Sequence, residues 1–241
     1  MFLKNHPFAV QAYFKRSVVL TFAFPKEQLQ AFLPTCLTLD TFKDKWAFLA
    51  VAMVETDHLR PKGFPKFLGN NFFLIGYRIF VRYRNKAGKQ LRGLYILKSE
   101  TNKRKMEIIG NLFTHYNYTT TDIMSDQNMM HIRSKQSNFF VVIERKEECA
   151  SIPGNSPFTS WKDARKFAGP LPHTFTYLKS KQSMLIIKGV RQNWRPSPIN
   201  VKDYHFHFFE HMGLNDRVLA SAFEIKDIPY RWEKGYIEKW K

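Results

Sequence analysis

The sequence has only two cysteines, Cys36 and Cys149, among 241 residues. Two cysteines predict neither a disulfide framework nor a zinc site. No apolar run approaches the ~20 residues that a membrane-spanning helix needs. A glycine-rich phosphate loop is also missing, so the sequence favours no nucleotide cofactor, and it indicates no other cofactor. The first residues lack the basic-then-apolar order of a signal peptide, which makes a cytoplasmic location the default expectation.

Acidic residues are scarce relative to basic ones. The chain has 20 acidic and 38 basic residues, which give a formal net charge of +18. Such a surplus allows nucleic acid or an anionic surface as a partner. The basic residues are spread along the chain, however, and no helix-turn-helix, zinc-finger or aromatic RNA-binding motif accompanies them. A generally basic surface is therefore the favoured interpretation, and nucleic-acid binding is not favoured.

Apolar and aromatic residues are abundant. Hydrophobic residues make up 44% of the chain and aromatic residues 16%, which is enough for a substantial core. The length allows one large domain or two small ones. We expect a single domain over residues 1–241, and the loop at 147–157 is the best candidate for a boundary between halves.

Alternating apolar residues predict many strands, and helical spacing predicts a few short helices. Strands are predicted over 17–24, 37–42, 46–55, 72–84, 90–99, 119–124, 129–134, 138–145, 174–178, 183–190 and 218–225, with another in the tail that ends at Trp240. Helices are predicted over 25–33, 104–116 and 159–168, the last capped by Thr159, and residues 58–69 are predicted as a loop. This order favours an α+β fold, mainly antiparallel β, with a barrel-like or sandwich sheet.

Residues 72–99 are predicted to form a β-hairpin that carries two cations among apolar side chains. The turn Asn85-Lys86-Ala87-Gly88 is typical of a three-residue loop with a bulge at the glycine, which pairs Asn85 with Lys89.

That register places Arg78 opposite Ile96 and Lys98 opposite Gly76. Arg78 and Lys98 then become diagonal neighbours on one face, roughly 7 Å apart at the backbone, and Gly76 leaves an empty space beside them. A buried cation usually has a partner or a functional role. One interpretation is a cation pair in a cavity that binds a carboxylate or a carbonyl group. The alternative is an ordinary solvent-facing strand whose basic side chains cover apolar surface.

The densest group of potential metal ligands is His205, His207, Glu210 and His211. On a strand His205 and His207 would share a face, and on a helix His207 and His211 would do so. No third ligand stands out, and phenylalanines alternate with the histidines, so a packed aromatic helix is favoured over a metal site. His115, just after a helical segment, is interpreted as a solvated residue at a helix end.

Several segments together resemble one protein family. They are FPKEQLQAFLP at 24–34, LDTFKDKW at 39–46, YRIFV at 77–81 and GLYIL at 93–97, together with the helix after Lys103 and the closing Trp240. These segments resemble the uncharacterised bacterial YqjF-like family, a domain of unknown function in the acetoacetate decarboxylase-like superfamily. The resemblance implies a single domain with a closed or partly closed antiparallel β-barrel and an internal ligand cavity.

The resemblance also suggests a chemistry. In acetoacetate decarboxylase a lysine forms a Schiff base with a keto acid, and burial and a neighbouring cation lower its pKa. The resemblance places that lysine's segment near 97–103, which makes Lys98 and Lys103 candidate amines. Here the family's paired lysines are absent, and Leu74 and Gly76 replace the Glu and Asn expected before Arg78.

The leading hypothesis is therefore a protein that binds a small organic anion or carbonyl compound in an internal cavity. Arg78 would hold the anion, Lys98 would add a second charge and Gly76 would provide room. One alternative is a lyase that uses Lys98 or Lys103 as an imine-forming amine. Glu100 and Glu107, near Lys98 in the sequence, are expected to neutralise part of its basic surroundings. The sequence does not specify an oligomeric state.

Overall fold

The computed structural model describes residues 3–126, 128–144, 151–169 and 171–240. Part of the candidate boundary at 147–157, including Cys149, lies outside the described residues. The strands are β1 (Val10–Pro25), β2 (Thr38–Leu39), β3 (Trp46–Pro61), β4 (Asn70–Arg84), β5 (Gln90–Thr101), β6 (Tyr118–Thr120), β7 (Met124–Ser125), β8 (His131–Ser134), β9 (Phe139–Glu144), β10 (His173–Leu178), β11 (Ser183–Arg191), β12 (Ser197–Pro198), β13 (Asn200–Phe206), β14 (Val218–Trp232) and β15 (Tyr236–Lys239). The helices are α1 (Lys26–Gln30), α2 (Arg104–Phe113), α3 (Trp161–Phe167) and α4 (His207–His211). None of these described helices is both long and apolar enough to cross a membrane.

An eleven-stranded sheet forms the centre of the molecule. Strands β14, β1, β3, β4, β5, β10 and β11 follow one another, and β11 pairs with β14 as well, so that the sheet becomes ring-like. Most pairings are antiparallel, and β5 pairs in parallel with β10 and with β6. The predicted α+β class, mainly antiparallel β with a few short helices, is confirmed.

The ring has an inner face and an outer face, and both are apolar. Leu74 on β4, Leu185 on β11 and Phe223 on β14 belong to one packed cluster. Because two strands separate β4 from β11 and from β14, these side chains meet by converging inside the ring. The inner face also contacts α2 through Met106 and α3 through Ala164.

A smaller sheet covers the outer face. It has four strands in the order β13, β9, β8 and β7. Its buried residues Val141 and Phe206 pack in one cluster with Ile75 and Tyr77 of β4. Alternation along β4 therefore sends odd-numbered side chains outwards and even-numbered ones, including Arg78, inwards.

The predicted hairpin loop is confirmed, but its register holds for only part of the hairpin. Asn85 N donates to Lys89 O at 3.0 Å, and Gly88 has a positive φ of 77°. Arg78 pairs with Ile96 as predicted. The predicted pairing of Lys98 with Gly76 is wrong, because the register shifts between Tyr77 and Arg78 and Lys98 pairs with Tyr77. This bulge adds one residue to β5, and one residue reverses the face of every later side chain.

Several element boundaries differ from the predictions. The predicted loop at 58–69 begins later, because β3 continues through an irregularity to Pro61. The first helix is shorter than predicted, since Phe32 and Leu33 form only i to i−3 bonds. The cap of α3 is Ser160 and not Thr159: the Ser160 side chain accepts a hydrogen bond from the backbone of Asp163. The segment 119–124 is divided between two short strands.

Candidate functional site

Arg78 lies at the centre of the candidate site, on the inner face of β4. Its side chain folds back over Gly76: a Cβ atom at Gly76 would lie 2.6 Å from Nε and 2.8 Å from Nη2 of Arg78. Gly76 therefore leaves space, as predicted, and the Arg78 guanidinium occupies it. The guanidinium is therefore directed back along the strand, over Gly76, which is the preceding inward residue.

Three tyrosines and a second arginine surround this guanidinium. Tyr116, Tyr118 and Tyr230 lie within electrostatic range of the Arg78 guanidinium. The Arg191 guanidinium lies within electrostatic range of Arg78 as well. Tyr116 follows α2, Tyr118 begins β6, Arg191 ends β11 and Tyr230 lies on β14. Residues from such distant parts of the chain meet because their strands face one another across the ring.

Both arginines are largely enclosed cations that have no anionic partner among the described residues. No described carboxylate forms an ion pair with Arg78 or Arg191. The Nε of Arg78 is buried and has no hydrogen-bond partner among the described residues, whereas Nη2 of Arg191 donates to Leu171 O at 3.1 Å. Burial lowers the pKa of Arg78, and it lowers the pKa of Arg191, which Arg78 lowers further. Arginine is so basic that both groups stay protonated at neutral pH.

The Arg78 side chain is half-buried by its exposed area, and its Nε is fully enclosed. Burial raises the pKa values of Tyr116 and Tyr118, that of Tyr118 to about 12, so both side chains are neutral hydroxyl groups. The Tyr116 hydroxyl lies near Thr174 but makes no hydrogen bond of normal geometry. The site thus offers a desolvated cation with hydroxyl groups beside it.

An apolar cavity adjoins this cationic centre. Its volume is about 290 Å³, and it lies between α2 and the adjacent ends of β1, β3 and β4. Tyr116 and Tyr118 line it and also contact Arg78 electrostatically, so they join the cavity to the cation. His6 and Thr56 line it as well, and each has a buried polar atom without a partner among the described residues.

Residues 11–225 of the chain match DUF2071, whose members are described as uncharacterized conserved proteins. The chain belongs to the DUF2071 family. No curated protein matches the sequence. The family match confirms the predicted resemblance to a domain of unknown function.

Solved structures with a fold similar to that of this DUF2071 protein include acetoacetate decarboxylase and two other enzymes. Acetoacetate decarboxylase from Legionella pneumophila has a TM-score of 0.61 at 11% identity, with 95% of this chain and 87% of that chain covered. The enduracididine biosynthesis enzyme MppR, solved with pyruvate, has a TM-score of 0.58 at 8% identity, with coverages of 98% and 92%. An acetoacetate decarboxylase-like enzyme from Sphingomonas wittichii RW1 has a TM-score of 0.55 at 11% identity, with coverages of 98% and 95%. Identities this low show a common fold.

Lys98 of the DUF2071 protein lies on the outer face, away from Arg78. Its Nζ donates to Oε1 of Glu100 at 2.7 Å, and Glu100 is only 1% exposed. The Tyr77 hydroxyl donates to Oε2 at 3.3 Å, and the Ser137 hydroxyl donates to Oε1 at 2.7 Å. The expectation that Glu100 neutralises Lys98 is confirmed. The predicted placement of Lys98 and Arg78 on one face is wrong, because the bulge in β5 turns the Lys98 side chain to the outer face.

Lys103 also lies apart from Arg78. It is exposed and precedes α2, where it occupies the cap position without a side-chain cap bond. The other expected neutralising residue, Glu107, accepts a hydrogen bond from Thr120 N at 2.9 Å. No lysine is among the described residues that line the apolar cavity.

The histidine-rich segment is divided between two elements. His205 lies on β13 and His207 begins α4, and both imidazoles face Glu210, at 3.6 and 3.1 Å. No group of three or more ligand-type side chains among the described residues could hold a metal. Phe206 and Phe209 are fully buried, as the aromatic interpretation predicts. His115 is half-buried, and its Nε2 lies 3.3 Å from Asn5 Oδ1. It is therefore less solvated than the sequence interpretation expects.

The sequence interpretation missed Arg191 and the three tyrosines. One signal was available: Gly76-Tyr77-Arg78 recurs as Gly189-Val190-Arg191. At both places the glycine admits a polar side chain over its backbone. Over Gly76 it is the Arg78 guanidinium, and over Gly189 it is the Tyr230 hydroxyl, which would lie 2.1 Å from an added Cβ.

Proposed function

We propose that this DUF2071 protein binds a small organic carboxylate inside the ring, with Arg78 as the anion-binding residue. The observation that carries the proposal is the buried Arg78 guanidinium without a described partner. Leaving a buried charge unpaired costs several kcal/mol unless a ligand compensates it. A guanidinium matches a carboxylate with two parallel hydrogen bonds, which are stronger than neutral ones.

Neighbouring groups support a carboxylate ligand. Arg191 adds a second positive charge, and Tyr116 and Tyr118 can donate from neutral hydroxyl groups. The apolar cavity alongside would exclude water and so strengthen the electrostatic attraction. Among proteins of the same fold, MppR has been solved with pyruvate, which is a small carboxylate with a carbonyl group.

Binding measurements on an arginine pair test this proposal. Isothermal titration calorimetry with pyruvate, acetate and acetoacetate is performed on the native protein, on Arg78→Gln and on Arg84→Gln. Arg84 is exposed on the same hairpin, so its substitution matches the change in net charge. Charged hydrogen bonds contribute roughly 1.5–3 kcal/mol each, and we therefore expect Arg78→Gln to weaken binding at least about tenfold. Arg84→Gln should leave affinity unchanged. Equal affinities in all three proteins would refute the site.

The imine-forming lyase alternative has a separate test. A nucleophilic amine must be neutral and must reach the substrate carbonyl, whereas Lys98 is paired with Glu100 on the outer face and Lys103 is exposed. We therefore propose binding without a Schiff base at these lysines. Borohydride reduction in the presence of pyruvate, followed by peptide mass spectrometry, should give no adduct on Lys98 or Lys103. A stoichiometric adduct on either lysine would establish imine formation there, which is the first step of the lyase alternative.

A further inference from the structure

The apolar cavity next to Arg78 is built to hold the remainder of a ligand. Its lining includes six apolar side chains that come from the strands and from α2: Val10, Phe72, Leu74, Met106, Ile109 and Phe113. Its surface is almost entirely apolar. Small-molecule sites have this character, with apolar walls and a few polar groups that fix orientation.

The geometry connects this cavity to the carboxylate site. Leu74 is the inward residue immediately before Gly76 on β4, and the Arg78 side chain folds back over Gly76 in that direction. Tyr116 and Tyr118 border both spaces. A carboxylate held by Arg78 would therefore direct its substituent between the tyrosines and into the cavity.

Two polar groups lie unpartnered in the cavity wall. His6 is 5% exposed and Thr56 is 1% exposed. His6 Nε2 and Thr56 Oγ1 have no hydrogen-bond partner among the described residues. His6 also has a left-handed backbone, with a φ of 53°, which is uncommon for a residue with a side chain and is often found where function requires it. Buried polar groups are nearly always satisfied, so these two atoms indicate a polar group on the ligand.

The cavity volume limits the ligand's size. Its 290 Å³ is about twice the ~150 Å³ of an engineered apolar cavity that binds benzene. We propose that the ligand is an aliphatic carboxylate of about eight to twelve non-hydrogen atoms, with a hydroxyl or carbonyl oxygen towards its far end that meets His6 and Thr56. This inference rests on the proposed function, because Arg78 must hold the carboxylate.

A chain-length series tests the apolar part of the proposal on the native protein. Calorimetry with acetate, butanoate, hexanoate and octanoate should show affinity rising by up to about fourfold per added methylene, which corresponds to its burial from water. The variant Ile109→Trp fills the cavity from α2 and should remove this rise. Its neighbour Ile108 is 61% exposed, so Ile108→Trp is the matched control and should keep the full series.

An oxygenated probe tests the polar part. We expect 7-hydroxyoctanoate or 7-oxooctanoate to bind at least about threefold more tightly than octanoate, as one modest net hydrogen bond allows. Thr56→Val removes the hydroxyl while keeping the side-chain shape, and should abolish the preference for the oxygenated probe over octanoate. Thr38→Val alters an exposed threonine and should leave the preference intact.

The outcomes separate the two proposals. If Arg78→Gln abolishes acetate binding but native affinity does not rise with chain length, the long-chain inference is wrong and the carboxylate site stands. If octan-1-ol binds as tightly as octanoate and Arg78→Gln changes neither, the cavity is not coupled to Arg78 and both proposals are wrong. Absence of binding by every probe would also overturn both.

Discussion

Two groups of buried and half-buried polar residues lie on opposite sides of the same sheet, and they differ in how many of their polar atoms have hydrogen-bond partners. The outer network comprises Tyr77, Lys98, Glu100, Thr121, Asp122, Ser134 and Ser137. The inner group comprises His6, Thr56, Arg78 and Tyr116, and each has a buried polar atom without a partner among the described residues. These are four of the eight such atoms in that part of the chain. Half of the buried polar atoms without a partner in the described part of the chain therefore lie in or beside one cavity.

The contrast separates structural polar groups from functional ones. A cation that stabilises the fold has a carboxylate partner. Lys98 pairs with Glu100 at 2.7 Å, and Arg82 and Arg92 each pair with Asp40 at 2.6 Å. Arg78 lies four residues from Arg82 on the same face of β4, and it has no carboxylate partner among the described residues. Partially satisfied buried networks destabilise a fold, and a site that awaits a ligand carries that cost.

The largest expected effect is a difference in the free energy of unfolding between two variants that each lose a cation. Lys98→Met leaves the buried Glu100 carboxylate without its cation and should destabilise the protein by about 3 kcal/mol. Arg78→Met removes a buried charge that has no partner, so its free energy of unfolding should stay unchanged or rise. Urea denaturation at pH 7 measures both. If Arg78→Met is as destabilising as Lys98→Met, the two regions do not differ as the contacts indicate.

The inner group and the outer network should lose stability at different pH values, because the inner group contains the buried histidine His6. Burial lowers the pKa of His6 from 6.5 to about 4, so the unfolded chain binds this proton at a higher pH than the folded one. The stabilisation is complete above pH 6.5 and is lost as the pH falls towards 4, by about 3 kcal/mol in total. In the outer network the Ser134 hydroxyl holds the pKa of Asp122 below 3.8, so its contribution is lost only at lower pH.

Denaturation between pH 4 and 7 measures this effect. His6→Leu should remove the largest part of the decline in stability over that range, and the remainder comes from His115 and His173, whose pKa values burial also lowers. His131→Leu, at an exposed histidine, should retain it. An unchanged profile for His6→Leu would mean that His6 is not held neutral in the fold.

Two glycines on the hairpin provide a smaller contrast between the faces. At the outward Gly93, an added Cβ would lie 2.3 Å from the backbone oxygen of His173, which cannot move away, so Gly93→Ala should cost about 2 kcal/mol. At the inward Gly76, the Cβ would meet only the flexible end of Arg78. Gly76→Ala should therefore change stability little but weaken carboxylate binding. The reverse pattern in denaturation and calorimetry would contradict the placement of Arg78.

The hairpin shows how far sequence reasoning extends. Asn85 and Gly88 specify a local turn, and the turn predicted both the loop and the pairing of Arg78 with Ile96. The bulge beyond that pair has no local signature and changed the face of Lys98. Arg191 and Tyr230 reach Arg78 only because the sheet closes into a ring, and a sequence pattern that reports on neighbours cannot place residues more than a hundred positions apart.

The smallest expected effect compares one hydroxyl group from each region. Thr56→Val removes an inner hydroxyl that makes no described hydrogen bond, and should stabilise the protein by up to about 1 kcal/mol because no buried polar atom remains unsatisfied there. Ser137→Ala removes an outer hydroxyl that donates to Glu100 at 2.7 Å, and should destabilise it by about 1–2 kcal/mol because the acceptor is charged. Thermal or urea denaturation of the pair, with saturating octanoate and without it, measures both signs. A loss of stability in Thr56→Val without ligand would show that the Thr56 hydroxyl has a hydrogen-bond partner that stabilises the fold. Thr56 would then resemble the residues of the outer network.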